Sequence, residues 1–313
     1  MAHQFPKITV ITPTYNRAQY IEETIESVLK QDFKDFEYLI LDDGSTDNTE
    51  EIVKPYLKDK RLKYLKHKNS GEAETVNWGW SLAKGKYFTQ VNSDDPILPN
   101  LFSEMVKVLD KEKNAVVAYP DFYFINGDGK IIKKEPTPDW NFEDALSNFS
   151  CYAASAGTFI KRRPFKSLKK IKNAKYKYIN DIHMYWNMAL KGNFLHVPKF
   201  LATWREHAGS ISSERYKSIP EIETWFIEYF NNPNLPKHIT DCKNRTRLTI
   251  DYYELRLLKE SNGLAIHWKL FFLILSIRYL FHRFFYSLKR KRGSISANMI
   301  LDTIQKTIIG LNI

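Results

Sequence analysis

The sequence predicts an α/β fold in which helices flank a mostly parallel sheet, followed by a helical C-terminal extension. Over the first 125 residues, short apolar runs alternate with segments whose apolar residues recur at helical spacing. Polar and acidic turns end three of these runs. Strands that alternate with helices of about ten residues are typical of βαβ units, whose strands lie parallel in one sheet.

The first part of the chain supplies the elements of this sheet. Residues 8–12 form an apolar run typical of a buried strand, and the apolar residues of 21–29 then fall on one face of a helix. Pro99 suits the start of a helix that ends near Asp110. Further strands are predicted at 38–41, 61–66 and 87–91, and further helices at 47–58 and 75–83.

After Ala115 the pattern changes to longer extended segments. Residues 116–125 predict a strand, and the turn at 126–129 before Ile131 predicts a hairpin. Further elements are predicted as a strand at 151–160, a helix at 181–190, an extended segment at 194–204 and helical sequence from 213 onward.

Length and composition favour a globular protein of about two domains. The 313 residues are 43% hydrophobic and 27% charged, which argues against global disorder. We expect a catalytic domain at 1–212, with halves of about 1–125 and 126–212, and a helical extension at 213–313.

Basic residues are concentrated in the later part of the chain. The formal net charge is +11, yet residues 1–100 contain 13 basic and 16 acidic residues. Such an excess occurs in proteins that bind nucleic acids, membranes or anionic substrates. A nucleic-acid binder is therefore one alternative, but its acidic strand ends would repel phosphates unless metal ions bridged them. We expect no nucleic-acid partner.

The amino terminus and the cysteine content indicate a cytoplasmic protein. Residues 1–13 lack the apolar core of a signal peptide, and two cysteines fit a reducing compartment. Three basic residues interrupt the most apolar stretch, 264–288, which is too broken for a spanning helix. With the basic run 289–292, it predicts a helix at 264–292 in the interface of an anionic membrane, hence peripheral attachment to the inner face of the cell membrane. A helix that packs on the core is the alternative.

Acidic and polar residues follow three predicted strands, at what should be one edge of the sheet. They are Thr12–Arg17, Asp42–Ser45 and Asn92–Asp95. Ligands of parallel sheets bind at this edge, and adjacent carboxylates suit Mg²⁺ or Mn²⁺. Together these groups could hold a nucleotide, although glycine-rich phosphate loops are absent. A solvated turn is the alternative for Asp94-Asp95, and a sugar nucleotidyltransferase is a rival enzyme that should have glycine within 12–17.

Two sequence blocks resemble glycosyltransferase family 2, whose members have the Rossmann-like GT-A fold. The first is ITVITPTYNRAQYIEETIESVLKQDFKDFEYLILDDGSTDNT, and the second is NSGEAETVNWGWSLAKGKYFTQVNSDD, with Asp94-Asp95 at the DxD-type metal motif. Weaker similarity at 178–181 and 204–210 extends the resemblance over about Ile8–Ser212. It implies an inverting, nucleotide-sugar-dependent glycosyltransferase.

The resemblance also implies roles for individual residues. In the family pattern an acid stands at Asn180 and a basic residue at Val76, so this chain departs from it there. From the residues alone, Asp181 could be a helix N-cap and His207 a structural hydrogen bonder. The implied nucleotide-binding residues are Pro13, Tyr15, Asp43, Asn69 and Asp94, the implied ligands of Mn²⁺ or Mg²⁺ are Asp95 and His207, and the implied catalytic base is Asp181.

These roles predict a metal-dependent transfer from a UDP-linked sugar to a glycan or lipid-linked acceptor in surface polysaccharide synthesis. Asp181 would take the proton of an acceptor hydroxyl, and attack opposite the leaving group would invert the anomeric configuration. Residues 161–177 contain nine basic residues and no acid, which favours an anionic acceptor. A solvated loop is the alternative for that segment.

Overall fold

An eight-stranded mixed sheet organises the part of the chain that contains the predicted site. The computed structural model describes residues 5–151, 153, 156–207 and 217–260. The strands are β1 (Ile8–Thr14), β2 (Phe36–Asp42), β3 (Leu62–Lys66), β4 (Tyr87–Gln90), β5 (Ala115–Ile125), β6 (Ile131–Glu135), β7 (Phe159–Lys161) and β8 (Asn193–Arg205). The helices are α1 (Ile21–Leu29), α2 (Thr49–Val53), α3 (Glu72–Leu82), α4 (Leu101–Lys111), α5 (Phe142–Ser147), α6 (Asn180–Ala189), α7 (Ile219–Phe230), α8 (Lys237–Thr240) and α9 (Lys243–Glu260).

Strands β3, β2, β1 and β4 are adjacent and parallel, so the α/β prediction is confirmed. Their carboxyl ends lie at one edge of the sheet, as we predicted from the polar and acidic residues that follow these strands. Beyond them, β7 is antiparallel to both β4 and β5. The predicted hairpin is β5 with β6, and β8 runs parallel to β5. The sheet is therefore parallel where the nucleotide was predicted and mixed beyond that point.

Helices cover both faces of the sheet, because successive residues of β1 pack in different layers. Val10 packs in one core layer with Ile25 of α1 and Met105 of α4. Ile11 packs in the other with Val76 of α3 and with residues of α6. A strand buried on both faces is expected to lack the regular polar alternation of a half-exposed strand, which explains why residues 8–12 contain only threonine besides apolar residues.

Helix α3 lies unusually close to the sheet. A Cβ added at Gly79 would lie 2.6 Å from Leu41 Cδ1 and 3.0 Å from Ile11 Cγ2, so the helix could not pack there with a larger residue. The N-cap of α3 is Gly71, whose φ of 89° favours glycine. This glycine starts the helix at Glu72, three residues before the predicted start.

Two predicted elements are shorter than expected. The helix at 47–58 is α2 followed by a 3₁₀ turn, Lys54–Lys58. Pro55 lies inside that segment and cannot donate an α-helical hydrogen bond, which accounts for the break. Within the described residues of 151–160, only the last two belong to a strand, β7.

Contacts divide the chain into two compact units, Met1–Ala145 with Ser150–Glu214 and Leu146–Phe149 with Arg215–Ile313. In the second unit, the described residues of the predicted extension form α7, α8 and α9. None of the helices described is both long and apolar enough to cross a bilayer. The predicted interfacial helix at 264–292 lies outside the described residues.

Candidate active site

Hydrogen bonds from backbone N–H groups to side chains join the loops that follow β1 and β2. The backbone N–H of Asn16 donates to the Ser45 hydroxyl over 2.9 Å, and the Asn16 side-chain oxygen accepts from the Thr46 N–H over 2.8 Å. The N–H of Arg17 donates to Thr49 Oγ1 over 3.0 Å. Asn16 has a φ of 51°, a left-handed conformation that asparagine adopts more readily than most residues. The two loops are therefore held together at the carboxyl edge of the sheet.

The predicted nucleotide-binding residues Pro13 and Tyr15 lie at the end of β1. Pro13 is buried and stands opposite Leu41 in the β1–β2 register. Tyr15 follows the strand and is 45% exposed. An exposed ring at this edge can stack on a planar ligand. That Pro13 and Tyr15 bind the nucleotide stays a prediction.

Asp43 fixes the loop that carries Asn69. Its Oδ1 accepts the Ser70 N–H over 2.7 Å, and its Oδ2 accepts the Gly71 N–H over 2.9 Å. A Cβ at Gly44, where φ is 82°, would lie 2.9 Å from the Asn69 nitrogen, so only glycine fits beside this loop. Asn69 is exposed and Asp43 is buried, and their predicted contacts with the base remain untested.

The buried acid of the Asp94-Asp95 turn is Asp95. Its Oδ1 accepts the Arg205 N–H over 2.7 Å, and its Oδ2 accepts the Asn92 side-chain amide over 2.9 Å. Burial, and then the negative charge of Asp94, raise the pKa of Asp95 to about 7. These contacts give Asp95 a part in shaping the turn, and its role as a direct metal ligand stays a prediction.

Asp94 faces a cluster of cationic and aromatic groups. Its Oδ2 lies 2.9 Å from His207 Nε2 and 3.5 Å from Arg17 Nε. The Tyr20 ring packs against the His207 ring with centroids 5.0 Å apart. The structure therefore brings together Asp94, which the resemblance implies in nucleotide binding, and His207, which it implies as a metal ligand.

Arg205 organises this turn and was not predicted from the sequence. Its side chain is 1% exposed and donates to the carbonyl oxygens of Asp94, Asn126 and Gly127 over 2.8, 3.1 and 2.9 Å. It also forms an ion pair with Glu23 of α1. Arg205 lies two residues before His207 in the segment 204–210, which weakly resembles the family, but nothing in the sequence of that segment indicates that its guanidinium turns inward.

Asp181 lies in the first turn of α6, and the N-cap position belongs to Ile179. Its Oδ1 is 2.5 Å from the Lys172 ammonium, which also donates to Glu72 Oε1 over 2.6 Å. Burial alone would lower the pKa of Lys172, but the carboxylates of Asp181 and Glu72 raise it above its ordinary value. The Asp181 side chain is 46% exposed, so an acceptor hydroxyl could reach it. Lys172 is one of nine basic residues in its segment, and no pattern singles it out.

Most of the basic segment 161–177 is exposed, and two of its lysines pair with α3. Lys170 binds Glu74 over 2.7 Å, whereas Lys172 is buried against Glu72. If the segment binds an anionic acceptor, as its charge predicts, its other basic residues would make the contact.

The donors at the Asp94-Asp95 turn suit a hard divalent cation. Two carboxylates and the imidazole of His207 are oxygen and nitrogen ligands that Mn²⁺ accepts, and Mg²⁺ prefers the oxygens. Burial is the main cause of the raised pKa of Asp95, and the negative charge of Asp94, the second cause, is one that a cation would compensate. A second acidic cluster, Glu223, Asp251 and Glu254, lies in the other unit, where Arg247 pairs with the first two over 2.5 Å each.

Solved structures share this fold. TarS of S. aureus, solved in complex with UDP-GlcNAc, superposes with a TM-score of 0.61 at 20% identity and covers 88% of this chain and 80% of that one. The mannosyltransferase PcManGT of Pyrobaculum calidifontis, in complex with GDP-Man and Mn²⁺, gives 0.58 at 15% identity, with 87% and 84% covered. These likenesses establish the GT-A fold.

Comparison of the sequence with known proteins identifies the family of this chain. Glycosyltransferase GlyG of Streptococcus pneumoniae is 26% identical over 306 residues, covering 85% of this chain and 96% of that protein. Several other curated relatives match 127 residues, and this chain spans only about a fifth of their length. The family model described as glycosyl transferase family 2 matches residues 9–180. The chain therefore belongs to glycosyl transferase family 2 and is a glycosyltransferase.

Proposed function

We propose that this glycosyltransferase is metal-dependent and inverting, and that it moves a sugar from a UDP-linked donor to a glycan or lipid-linked acceptor in surface polysaccharide synthesis. The observation that carries the proposal is the contact of Asp94 with His207 at the carboxyl edge of the parallel strands, beside the joined loops after β1 and β2. Glu72, which shares a lysine with Asp181, accepts from Gln90 at the end of β4 over 3.0 Å. Asp181 is thereby connected to the same edge.

The donor nucleotide would occupy the edge between β1 and β2. The exposed ring of Tyr15 would stack on the base, Pro13 would line the same pocket, and Asn69 and Asp43 would lie at the base edge. Asp94 would face the ribose, next to the proposed metal site. The complex of TarS with UDP-GlcNAc supports a UDP-linked donor on this fold.

Asp181 would act on the acceptor. As the acceptor hydroxyl oxygen forms its bond to the anomeric carbon, the Asp181 carboxylate takes the hydroxyl proton. The bond to the nucleoside diphosphate breaks and its electron pair leaves with the phosphate oxygen. Attack on the face opposite the leaving group converts an α-linked donor into a β-linked product. Positioned general bases contribute about 10²–10⁴-fold to such rates.

Asp95 and His207 would hold Mn²⁺ or Mg²⁺, with Asp94 beside them. When bound, the metal would supply positive charge against the diphosphate. The Arg17 guanidinium, 3.5 Å from Asp94, already places a fixed positive charge at this point. The Mn²⁺ complex of PcManGT supports metal use on this fold.

A donor panel tests the proposal. UDP- and GDP-linked sugars are incubated with glycan acceptors, with and without Mn²⁺, and release of nucleoside diphosphate is measured together with product formation. We expect UDP release that requires both metal and acceptor, and a β-linked product by NMR. Asp181→Asn should abolish transfer yet bind the donor as the wild type does. Metal-independent transfer, or retention of configuration, would contradict the proposal.

Two further measurements test the alternatives, a sugar nucleotidyltransferase and a nucleic-acid binder. A sugar nucleotidyltransferase would consume a nucleoside triphosphate and release pyrophosphate, which the assay can monitor in parallel. A nucleic-acid binder would retain mixed DNA and RNA on a filter at moderate salt. We expect no pyrophosphate release, because residues 12–17 contain no glycine, and no nucleic-acid retention, because the acidic strand ends repel phosphates unless metal ions bridge them.

We also propose that the protein is cytoplasmic and attaches peripherally to an anionic membrane surface through residues 264–292. The apolar run and the following basic residues support this attachment. The full chain should sediment with anionic liposomes at low salt and be released at high salt. A chain that stays in the supernatant at low salt would contradict the attachment.

A further inference from the structure

Lys172 is a fully buried lysine held in a fixed position. Its side chain has 0% exposure. The Asn77 side chain binds its backbone on both sides: Asn77 Nδ2 donates to the Lys172 carbonyl, and Asn77 Oδ1 accepts the Lys172 N–H, each over 2.9 Å. Asn77 itself belongs to α3, which packs tightly on the sheet. Burial of an ammonium is costly unless partners compensate its charge, so its contacts are strongly constrained.

Two carboxylates provide this compensation from different helices. Glu72 of α3 and Asp181 of α6 lie 2.6 and 2.5 Å from the Lys172 ammonium. The Asp181 side chain is 46% exposed while Lys172 is hidden behind it. The ammonium can therefore hold Oδ1 of Asp181 from the protein side without touching an acceptor.

Further hydrogen bonds connect the Glu72 carboxylate to the Asp94-Asp95 turn. Gln90 Nε2 donates to Glu72 Oε1 over 3.0 Å and to Asn92 Oδ1 over 2.8 Å. Asn92 Nδ2 in turn donates to Asp95 Oδ2 over 2.9 Å. Asp181 is thus connected to the Asp94-Asp95 turn by one continuous series of polar contacts.

We propose that Lys172 is a positioning residue, which fixes the Asp181 carboxylate relative to the Asp94-Asp95 turn through Glu72. The inference rests on the proposed role of Asp181 as the base. Lys172 touches neither donor nor acceptor, so it acts on the rate of transfer and leaves donor binding unchanged. Misplacement of a reacting group by about 1 Å can cost about 10²-fold in rate, which sets the expected effect.

The test compares two lysines of the same loop. Lys172→Met removes the buried ammonium, and Lys170→Met removes an exposed one that pairs with Glu74 of the same helix. We expect Lys172→Met to lower kcat about 10²-fold with a donor KM within threefold of wild type. Lys170→Met should retain wild-type kcat, and Lys172→Arg should recover part of the loss. An unchanged kcat in Lys172→Met would overturn the proposal, as would an equal loss in Lys170→Met.

A double-mutant cycle distinguishes positioning from a general loss of structure. If Lys172 acts through Asp181, the residual turnover of Lys172→Met with Asp181→Asn, followed at high enzyme concentration, should be no lower than that of Asp181→Asn alone, because the residue to be positioned is gone. Additive losses would overturn the proposal.

If Lys172→Met does not fold, Glu72→Gln loosens the ammonium from α3, and we then expect at least a tenfold lower kcat at unchanged donor KM. An unchanged kcat in that variant would overturn it.

The outcomes also separate this inference from the proposed function. If Asp181→Asn is inactive while Lys172→Met behaves as wild type, only the positioning role is wrong. If Asp181→Asn transfers sugar normally, Asp181 is not the base and the positioning role is wrong with it.

Discussion

The Asp94 carboxylate and the His207 imidazole lie 2.9 Å apart although 113 residues separate them in the chain. Asp94 follows β4, and His207 follows β8, which pairs with β5 at the far part of the sheet. The Tyr20 ring, 5.0 Å from that of His207, limits the positions the imidazole can take. The structure thus brings a strand-end acid and an imidazole from a distant segment into direct contact.

His207→Gln should weaken metal use, because it removes the imidazole that faces Asp94. Loss of a ligand or of its support typically costs about 10–100-fold in metal affinity or activity. We expect the Mn²⁺ concentration for half-maximal turnover to rise at least tenfold, measured by UDP release over a Mn²⁺ titration.

His196→Gln is the matched control for that variant. His196 Nε2 also contacts a carboxylate, Asp121 Oδ1 at 2.8 Å, but in a different cluster. Its substitution should leave the Mn²⁺ titration unchanged. Equal Mn²⁺ requirements in wild type and His207→Gln would show that His207 has no part in metal binding.

Asp95→Asn should remove metal-dependent turnover while the protein stays folded. The amide keeps an oxygen for the Arg205 N–H and removes a buried charge, so the turn can persist. We expect turnover to fall at least 10²-fold, with a thermal midpoint within a few degrees of wild type in EDTA. Full turnover that still depends on Mn²⁺ would exclude Asp95 from the metal site.

The sequence predicted which residues lie at the carboxyl edge of the sheet better than it predicted how their side chains are arranged. The parallel strands and their polar ends followed from hydrophobic periodicity, so Pro13, Asp43 and Asp94 were placed at the correct edge. Local pattern carries no information on contacts between distant segments. The inward position of Asp95 depends on a backbone N–H 110 residues away, and Lys172 became distinct from its eight basic neighbours only through burial between α3 and α6.

Asp110→Asn should lower stability in a pH-dependent manner. Burial alone would raise the pKa of Asp110, but hydrogen bonds from Lys7, Lys86 and Tyr87 lower it well below its ordinary range. A carboxylate with a lowered pKa stabilises the folded state above its unfolded pKa of about 3.9, and that contribution is lost as the pH falls through the folded value. Since Asp110 is partly exposed, we expect a loss of at most about 1 kcal/mol.

Urea unfolding of wild type and Asp110→Asn at several pH values checks this expectation. The difference in unfolding free energy should be constant between pH 8 and pH 5, and should shrink below about pH 4 as the wild-type carboxylate is protonated. A difference that grows as the pH falls would have the wrong sign and would exclude the stabilising role of this carboxylate.

Arg205→Met should destabilise the protein and loosen the metal motif together. The substitution leaves the carbonyl oxygens of Asp94, Asn126 and Gly127 without their guanidinium donor. A buried acceptor left unsatisfied costs about 1–3 kcal/mol, and water can reach part of this site once the side chain is shortened. We therefore expect a loss of about 2–3 kcal/mol in unfolding free energy.

Glu23→Gln separates the hydrogen bonds of Arg205 from its ion pair. The Glu23 side chain is 54% exposed, so loss of its charge should cost less than about 1 kcal/mol. Because Arg205 holds the Asp94 carbonyl in place, Arg205→Met should also raise the Mn²⁺ concentration needed for turnover, whereas Glu23→Gln should not. Urea unfolding and the Mn²⁺ titration, run on both variants, measure the two effects. If Arg205→Met is destabilised but its Mn²⁺ requirement is that of wild type, then the guanidinium supports the fold without shaping the metal motif.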